Sequence, residues 1–377
     1  MKQYIQFIQD KEKQLLDLIK EVVEIESPTS LKEQNDLLGE IISNLFINYT
    51  GGTIEKVKND QYGNHLIGTV GDGDEQILLV GHFDTVHPID TLKHNSYRLK
   101  EGKIFGPGIY DMKAGLIQGI FALHALVELN GLGNKRIKFI FNADEEVGSP
   151  TSKEILINEA KNSKVAFVLE PSFGQEGAIK MERKGVGTYT IKAYGKSAHA
   201  GNAPEEGENA IEEISRQVIR LQELNDFKRG ITVNCGVIHG GTTKNTIPDF
   251  AELKIDVRVS TMEDLNEIDT FITQITPFNS KIKVSIEGGF TRPPMESSLQ
   301  TEELYKRAKQ FMEIQANLPL PRASVGGASD GNIISQYVPT LDGLGAVGDG
   351  AHTLEEYIYK EHLVPRTALL AALIAIA

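Results

Sequence analysis

Three short, almost continuous apolar runs limit most strongly how this chain can fold. They read QILLVG, RIKFIFN and VAFVLEPS. A strand with apolar residues on both faces is buried on both faces, which is typical of a parallel sheet covered by helices. Between the first two runs, a segment from near Met112 to Gly131 has helical spacing. This alternation of strands and helices predicts an α/β fold with a mostly parallel sheet flanked by helices.

The pattern of the chain changes after about residue 180. Strand and helix signals then follow in the order β-α-β-β-α-β, from GTYTIKAYG to KIKVSIEGG. This order is the ferredoxin-like split motif. After TRPP, the chain returns to helix and strand segments like those of its first part. We therefore predict one domain formed by residues 1–180 and 292–377, and a second domain of residues 181–291 inserted into it.

The composition excludes several classes of partner. The net charge of −13 repels nucleic acids and anionic membranes, so neither is expected to bind. A single cysteine, Cys235, allows no intrachain disulfide. The first residues lack the apolar core of a signal peptide, and the run ALLAALIAIA is too short to span a bilayer. We expect a cytoplasmic protein in which that last run forms a buried helix.

Each of the three apolar runs leads into side chains that can bind metal. QILLVG precedes His82 and Asp84, RIKFIFN precedes Asp144-Glu145-Glu146, and VAFVL precedes Glu170. In an open parallel sheet, the carboxyl ends of the strands form the ligand crevice. The sequence therefore predicts that these side chains meet at one edge of the sheet, although they are far apart along the chain.

Two further motifs add metal-capable residues. GPGIYDMKAG places Asp111 at the start of the predicted helix, and the glycine-rich GDGAHTLEEY contains His352. Two imidazoles and several carboxylates without a thiolate suit zinc, cobalt or manganese. Two His and three carboxylates are enough for two ions that share one bridging carboxylate, and such a centre activates water and polarises a carbonyl. Cations would also explain why adjacent carboxylates are tolerated.

Eight motifs carry a resemblance to one known family, from about residue 10 to the end of the chain. They are GHFDTV, GPGIYDMKAG, NADEEVGS, LEPS, GKSAHAG, NTIPDFAELKIDVR, GGASDG and GAHTLEEY. In this order they resemble the dinuclear zinc metallopeptidases that include glutamate carboxypeptidase, acetylornithine deacetylase and succinyl-diaminopimelate desuccinylase, and they are most similar to the glutamate carboxypeptidase branch. The resemblance implies a zinc-exopeptidase type of catalytic, metal-binding domain, with the ferredoxin-like insertion as a lid and dimerisation domain.

The resemblance also implies roles for the residues of the metal centre. Five residues match the family's ligands of two divalent ions, with zinc expected and cobalt or manganese as alternatives: His82, Asp111, Glu146, Glu170 and His352. Asp111 would bridge the ions, and Asp84 would orient the imidazole of His82. Glu145 would be the general base that moves a proton from the attacking water to the leaving amine. If the motif were aligned one residue out, Glu146 would take that role.

Other matches imply how a substrate is held. His199 matches a histidine that reaches the active site of the partner subunit and stabilises the oxyanion, which implies a homodimer formed through the inserted domain. Asn245 and Arg258 match family positions that help to hold the oxyanion or a substrate carboxylate. Arg292 is a further candidate for the substrate carboxylate, and Gly327 is expected to supply backbone flexibility and N–H donors near the substrate. Asp330, three residues after Gly327 in GGASDG, is expected to cap the helix that begins there.

These features favour a metallo-exopeptidase or amidohydrolase acting on a small peptide or an N-acyl amino acid. The first choice is a carboxypeptidase that releases a C-terminal residue such as glutamate. An N-acyl amino acid deacylase is the alternative, followed by a di- or tripeptidase, and an aminopeptidase would instead require a free α-amine. A binder that only keeps the fold and a structural metal would have no need for Glu145 beside a ligand glutamate.

Overall fold

The structure is a computed structural model that describes residues 2–377, and the chain divides into two compact units. The first unit extends to Met181 and includes Ser297–Ser324 and Ser329–Ala377. The second unit comprises Glu182–Glu296 together with the short segment Val325–Ala328. The assignment of one unit to catalysis and the other to a lid and a dimer interface stays a prediction.

The strands of both units are numbered in chain order. They are β1 (Thr53–Val57), β2 (His65–Val70), β3 (Glu75–His82), β4 (Arg98–Lys100), β5 (Lys103–Phe105), β6 (Lys135–Asn142), β7 (Val165–Val168), β8 (Ile179–Arg183), β9 (Gly185–Tyr194), β10 (Thr232–Gly240), β11 (Phe250–Val259), β12 (Lys283–Arg292), β13 (Arg322–Val325), β14 (Thr340–Leu341), β15 (Gly348–Asp349) and β16 (Tyr357–Tyr359).

The helices are numbered in the same way. They are α1 (Lys2–Asp10), α2 (Glu12–Val23), α3 (Lys32–Thr50), α4 (Ala114–Glu128), α5 (Lys153–Lys161), α6 (Ala210–Gln222), α7 (Met262–Thr273), α8 (Leu299–Phe311), α9 (Asp330–Ile334) and α10 (Leu363–Ile376). None of the described helices is long and apolar enough to cross a membrane.

A six-stranded sheet forms the centre of the first unit, in the order β1-β2-β6-β3-β7-β14. The pairs from β6 to β14 are parallel, whereas β1 and β2 add two antiparallel pairs at one edge. Ile77 and Leu79 of β3 pack into one hydrophobic cluster, while Leu78 and Val80 pack into another that includes residues of α5 and α9. Both faces of this strand are therefore covered, which confirms the predicted α/β fold with a mostly parallel sheet.

Two apolar helices cover the first of these faces. In α4, 12 of 15 residues are buried, and 11 of the 14 residues of α10 are buried against the same cluster. A helix that is apolar all round belongs inside a protein, and the buried helix predicted near the end of the chain is confirmed. The helix predicted to start near Met112 instead starts at Ala114, because Asp111 and Met112 have non-helical backbone angles.

The second unit has a four-stranded antiparallel sheet in the order β10-β11-β9-β12. Along the chain its elements run β9, α6, β10, β11, α7, β12, which is the β-α-β-β-α-β order predicted from the sequence. In β9, Tyr189, Ile191 and Ala193 are buried and alternate with partly exposed residues. One face of the sheet therefore packs on a hydrophobic core shared with α6 and α7.

Candidate active site

The parallel strands bring the predicted metal-binding residues to one edge of the sheet. In the register of the sheet, His82 at the end of β3 lies beside Asn142 at the end of β6. Val80 of β3 lies beside Val168, the last residue of β7, two residues before Glu170. The loops that follow β3, β6 and β7 therefore leave the sheet next to one another, as the apolar runs indicated.

Asp111 lies between two imidazoles. Its Oδ1 is 3.2 Å from His82 Nε2, and its Oδ2 is 3.3 Å from His352 Nε2. Glu170 Oε1 lies 3.6 Å from His82 Nε2, while Glu146 Oε2 lies 3.4 Å from His352 Nε2. The five residues therefore form two groups, each with one imidazole and one glutamate, that share the carboxylate of Asp111.

The chemistry of this cluster fits a divalent metal ion. Ligand atoms of His82, Asp111 and Glu146 all lie within 4.8 Å of one another, and the same is true of His82, Glu145 and Glu170. Glu146 Oε1 is buried and has no hydrogen-bond partner among the described residues. A buried carboxylate oxygen without a donor is costly, and a cation beside it would satisfy it. The cluster can therefore hold metal, and its nitrogen and oxygen ligands suit the borderline divalent ions.

The electrostatics of the cluster also favour a cation. Burial acts to lower the pKa of His82, but hydrogen bonds to Asp111, Asp84 and Glu170 outweigh it and raise that pKa well above its usual range. Hydrogen bonds to Asp111 and Glu146 raise the pKa of His352 to about 10. The carboxyl of Asp111 has a strongly lowered pKa, because its hydrogen bonds with the two imidazoles outweigh burial. The site thus stabilises positive charge at the imidazoles.

The acidic run at the end of β6 separates into different environments. Asp144 is fully buried and accepts hydrogen bonds from the main-chain N–H and the hydroxyl of both Thr151 and Ser152, at 2.6–3.1 Å. It stabilises the turn before α5 and is saturated with donors. Glu145 and Glu146 are instead directed to the metal-capable cluster, so the run is neither a solvated acidic turn nor three equivalent ligands.

Asp84 is linked to both sides of the cluster. His82 Nδ1 lies 2.9 Å from the main-chain carbonyl oxygen of Asp84 and 3.3 Å from its carboxylate Oδ1. The carboxylate also accepts the hydroxyl of Thr29 at 2.8 Å and the main-chain N–H groups of Glu145 and Glu146 at 3.3 Å. Asp84 therefore orients the imidazole partly through its own carbonyl, while its carboxylate fixes the backbone of the two glutamates.

Two predicted residues of the second unit lie on adjoining loops. The exposed His199 accepts the main-chain N–H groups of Gly201 and Asn202 at its Nδ1, both at 3.1 Å. This arrangement puts the ring hydrogen on Nε2, which is then available as a donor. The main-chain N–H of Ala200 donates to the carbonyl of Asn245 at 3.0 Å. The structure therefore brings His199 and Asn245 together.

The two predicted arginines lie in one row across the second sheet. Arg258 in β11 and Arg292 in β12 both pair with Val186 of the intervening strand β9. Arg258 also makes two 2.9 Å hydrogen bonds to Asp256, while the side chain of Arg292 is buried. Gly327 accepts a hydrogen bond from Arg183 through its carbonyl at 3.0 Å.

The structure corrects the expectation that Asp330 caps a helix. The N-cap of α9 is Ser329, whose hydroxyl accepts the N–H of Gly331 at 3.0 Å. Asp330 is the first residue of the helix, and its buried carboxylate accepts hydrogen bonds from the hydroxyl of Ser149 and the amide of Asn142. The serine was overlooked because Ser and Asp are both favoured at this position and stand next to each other in GGASDG.

Sequence reasoning also missed a buried glutamate beside the cluster. Glu356 is fully buried, and its carboxylate accepts the main-chain N–H of Asp111 at 2.8 Å. The imidazole Nε2 of His87 lies 2.7 Å from Oε2 of the same carboxylate. The available signal was the spacing of four residues from His352 in GAHTLEEY, but nothing in the motif distinguishes Glu356 from the adjacent Glu355.

Comparisons with known proteins identify the family of this chain. The profile of peptidase family M20/M25/M40 matches residues 78–376. Carboxypeptidase G2 of Pseudomonas sp. (strain RS-16) is 27% identical over 371 residues, which cover 96% of this chain and 89% of that protein. Acetylornithine deacetylase of Edwardsiella ictaluri (strain 93-146) is 27% identical over 340 residues, with 85% of each protein covered.

Solved structures share the fold over almost the whole chain. Aminopeptidase PepT of Bacillus cereus has a TM-score of 0.79 at 24% identity, covering 97% of this chain and 98% of that one. The Bacillus subtilis YXEP protein, a dinuclear metal binding peptidase, has a TM-score of 0.70 at 14% identity, with 98% of each chain covered. Since the family profile spans well over half of the sequence, this protein belongs to peptidase family M20/M25/M40 and is a hydrolase of amide bonds.

Proposed function

We propose that this enzyme is a zinc-dependent exopeptidase that cleaves an amide bond next to a free carboxylate and releases a C-terminal amino acid such as glutamate. The observation that carries the proposal is the position of Asp111, with one oxygen 3.2 Å from His82 Nε2 and the other 3.3 Å from His352 Nε2. This arrangement favours two ions that share one carboxylate. The similarity to carboxypeptidase G2 over 96% of the chain supports the carboxypeptidase activity.

We assign the ligands to two ions according to these contacts. His82, Asp111 and Glu170 would bind one zinc ion, and His352, Asp111 and Glu146 would bind the other; cobalt or manganese suits the same donors. When bound, the ions would supply the Lewis acidity that polarises the scissile carbonyl and lowers the pKa of water. The donor-free Oε1 of Glu146 supports its role as a ligand.

Glu145 is the proposed general base. A carboxylate oxygen of Glu145 lies within 4.8 Å of ligand atoms of His82 and Glu170, and its main-chain N–H is bound by Asp84. Glu145 takes a proton from the attacking water as the new C–O bond forms at the carbonyl carbon. It then gives that proton to the leaving amine nitrogen as the C–N bond breaks. Asp84 keeps the backbone of Glu145 and the ring of His82 in a fixed relation.

Arg258 and Arg292 are the proposed contacts for the free carboxylate of the substrate. Both flank Val186 in one row, so their positions along the sheet are separated by about 10 Å, two strand spacings. The planar guanidinium matches a carboxylate with two parallel hydrogen bonds. The pair of Arg258 with Asp256 shows that this side chain already presents two donors to a carboxylate. Gly327 would lie near the substrate and offer its backbone N–H.

His199 is proposed to stabilise the oxyanion in the active site of the partner subunit of a homodimer. The Nε2–H donor that follows from its two Nδ1 contacts supports this role, and Asn245 on the adjoining loop would assist it. Strand β10 is at the edge of its sheet and exposes Val237 and Ile238. An exposed apolar edge strand readily pairs with another chain, which supports dimerisation through the second unit.

An N-acyl amino acid deacylase is the second candidate. It is favoured by the similarity to an acetylornithine deacetylase at the same 27% identity as carboxypeptidase G2. Both reactions would use the same base and ligands, so the groups around the metal centre do not separate them. A di- or tripeptidase is a third possibility, and the fold shared with aminopeptidase PepT at 24% identity does not favour it.

A hydrolysis assay with two single variants tests the proposal. Zinc-loaded wild type is compared with Glu145→Gln and Glu146→Gln on dipeptides, folyl-type substrates with a C-terminal glutamate, and N-acetyl or N-succinyl amino acids. Loss of the general base is expected to lower kcat by about 100-fold or more in Glu145→Gln while two ions remain bound. Glu146→Gln should instead bind less metal.

The outcomes distinguish the alternatives. Preferred release of a C-terminal glutamate supports the carboxypeptidase, and preferred cleavage of N-acetyl or N-succinyl amino acids supports the deacylase. If the phenotypes of the two variants were exchanged, Glu146 would be the base and Glu145 the ligand. Stoichiometric metal binding without cleavage of any amide would contradict the proposed activity. The cytoplasmic location stays a prediction.

A further inference from the structure

Glu356 makes an unusually complete set of contacts for a residue outside the proposed ligand set. Its side chain is fully buried. One carboxylate oxygen, Oε1, accepts the main-chain N–H groups of Tyr110 and Asp111, both at 2.8 Å. The other, Oε2, accepts the N–H of Gly108 at 2.8 Å and the imidazole Nε2–H of His87 at 2.7 Å. Both oxygens therefore accept two hydrogen bonds each, from the backbone of residues 108–111 and from the imidazole of His87.

The contacts of Glu356 connect three segments that carry proposed ligands. Glu356 follows His352 by four residues, and His87 follows His82 by five. The three backbone donors belong to Gly108–Asp111, the segment that carries the shared carboxylate. One buried carboxylate thus links the loop after β3, the loop before α4 and the loop between β15 and β16.

The segment before α4 needs such an anchor because its backbone is irregular. Gly108 has a positive φ of 68°, and Asp111 has φ −115° and ψ 92°, so neither continues the helix that starts at Ala114. Buried N–H groups outside regular structure must find other acceptors. The carboxylate of Glu356 is the acceptor for the N–H groups of Gly108, Tyr110 and Asp111. These hydrogen bonds fix the backbone of Asp111, from which its side chain extends to the imidazoles.

We propose that Glu356 is a positioning residue that holds Asp111 between the two ion sites, so that ion binding at both sites depends on it. The inference rests on the proposed function, in which Asp111 is shared by the two ions. A shift of the Asp111 backbone would move both of its carboxylate oxygens, which lie 3.2 Å and 3.3 Å from the two imidazoles. Loss of Glu356 should therefore weaken both sites together.

Metal titration of the full-length protein tests this role without relying on activity. Metal-free wild type and Glu356→Gln are titrated with zinc in a calorimeter and with cobalt while the visible absorption spectrum is recorded. Glutamine has the same shape, but its NH2 group would face N–H donors where an oxygen now accepts them. We expect a loss of about 10- to 100-fold in affinity at both sites, the usual effect of removing a group that orients metal ligands, and an altered cobalt spectrum.

Glu355→Gln is the matched control, because its side chain is 83% exposed and lies next to Glu356 in the chain. It should bind two ions with the affinity and spectrum of wild type. Glu356→Asp keeps the charge but shortens the side chain, and provides the test if Glu356→Gln does not fold in the metal-free state. It too should bind both ions more weakly, since it cannot reach all four donors at once.

Two results would overturn the positioning role. One is binding of two ions by a folded Glu356 variant with the affinities and cobalt spectrum of wild type. The other is a loss confined to one site, because a displaced Asp111 affects both. A wild-type protein that binds no divalent ion would instead contradict the proposed function itself, so the two failures are distinguishable.

Discussion

Adjacent residues of the same type have different environments in the acidic run after β6. Asp144 is buried behind the turn and receives four donors, whereas Glu145 and Glu146 belong to the metal-capable cluster. Because each residue of a tight turn points in a different direction, three carboxylates that repel one another in a sequence can be separated in space. Their charges are compensated by a hydrogen-bonded turn in one case and by imidazoles or cations in the others.

The neutral form of His65 forms hydrogen bonds with the backbone and the turn on either side of the acidic run. Its Nδ1 accepts the main-chain N–H of Ala143 at 3.3 Å, just before the acidic run, and its Nε2 lies 2.9 Å from the hydroxyl of Thr151. That hydroxyl donates to Asp144, so it accepts the proton on Nε2. Both ring nitrogens are therefore used by the neutral form, and protonation of Nδ1 would remove an acceptor from a buried N–H.

We predict that His65 contributes to the loss of stability in acid. Burial lowers the pKa of His65 below 6.5 in the folded protein, despite the opposing effect of nearby carboxylates. The unfolded chain therefore binds a proton more readily than the folded chain as the pH falls below 6.5, and the free energy of unfolding decreases in that range.

Urea unfolding at pH 7.5 and pH 5.0, with a chelator present, measures this effect. His65→Gln should be less stable than wild type at pH 7.5 by about 1 kcal/mol, because its hydrogen bonds are impaired. Between the two pH values it should lose less stability than wild type, since it has no imidazole to protonate. An equal loss in the two proteins would contradict the prediction.

At the scale of elements, α10 shows how an apolar helix can position loops. Arg366 is fully buried in this helix, and burial lowers its pKa to about 10. Its guanidinium donates to the carbonyl oxygens of Gly177, Gly343 and Gly345. Gly345 in turn donates its N–H to the carbonyl of Glu170 at 2.9 Å. The helix therefore reaches the segment of a proposed metal ligand through one side chain.

We predict that Arg366→Ala lowers the free energy of unfolding by about 2–4 kcal/mol, because three carbonyl oxygens lose their donor and a cavity forms. Arg366→Lys should not restore the stability, since an ammonium group cannot reproduce the planar set of donors. Urea unfolding checks both variants, with Lys306→Ala on the exposed surface of α8 as the control. If Arg366→Ala lowered the free energy of unfolding no more than Lys306→Ala does, the guanidinium would contribute no net stabilisation.

At the scale of the whole molecule, the proposed homodimer makes the active site depend on two chains. If His199 acts in the partner's site, a Glu145→Gln chain and a His199→Ala chain can complement each other. In their heterodimer, one site has the intact metal centre of the second variant and the intact histidine of the first. The other site lacks both groups.

We predict that two inactive variants regain activity when mixed. Random exchange of subunits in a closed dimer makes about half of the molecules heterodimers with one intact site each, so about a quarter of the wild-type activity is expected. The assay follows hydrolysis of the preferred substrate after subunit exchange, and light scattering verifies the dimer. If His199 served its own chain, both sites of the heterodimer would be defective, and mixing would restore nothing.

The central architecture could be predicted because it depends on local patterns. The runs around Ile77, Ile137 and Val165 are apolar on both faces, and only buried strands satisfy such a pattern. In β9 buried and more exposed residues alternate, the pattern of a strand with one covered face. The order of the elements then implied their arrangement, since strands joined by helices form parallel sheets.

The start of α4 and the cap of α9 could not be predicted in the same way. Helical spacing continues through Met112, but the contacts of Glu356 hold Asp111 in a non-helical conformation. Ser329 and Asp330 are equally good caps by residue type. The carboxylate of Asp330 instead accepts hydrogen bonds from Ser149 and Asn142, which lie far away in the chain, and the hydroxyl of Ser329 caps the helix. Boundaries and caps are decided by such long-range partners.

The sequence by itself determined the fold class and which residue types could form a metal centre, because burial of apolar strands and the donor chemistry of His, Asp and Glu are properties of the residues themselves. Only the tertiary structure decided that Asp111 offers one oxygen to each imidazole and that Asp144 turns away from the cluster. It also decided that Glu356 and not Glu355 is buried among the loops. These outcomes depend on distances between residues that are remote in sequence, and no local pattern specifies them.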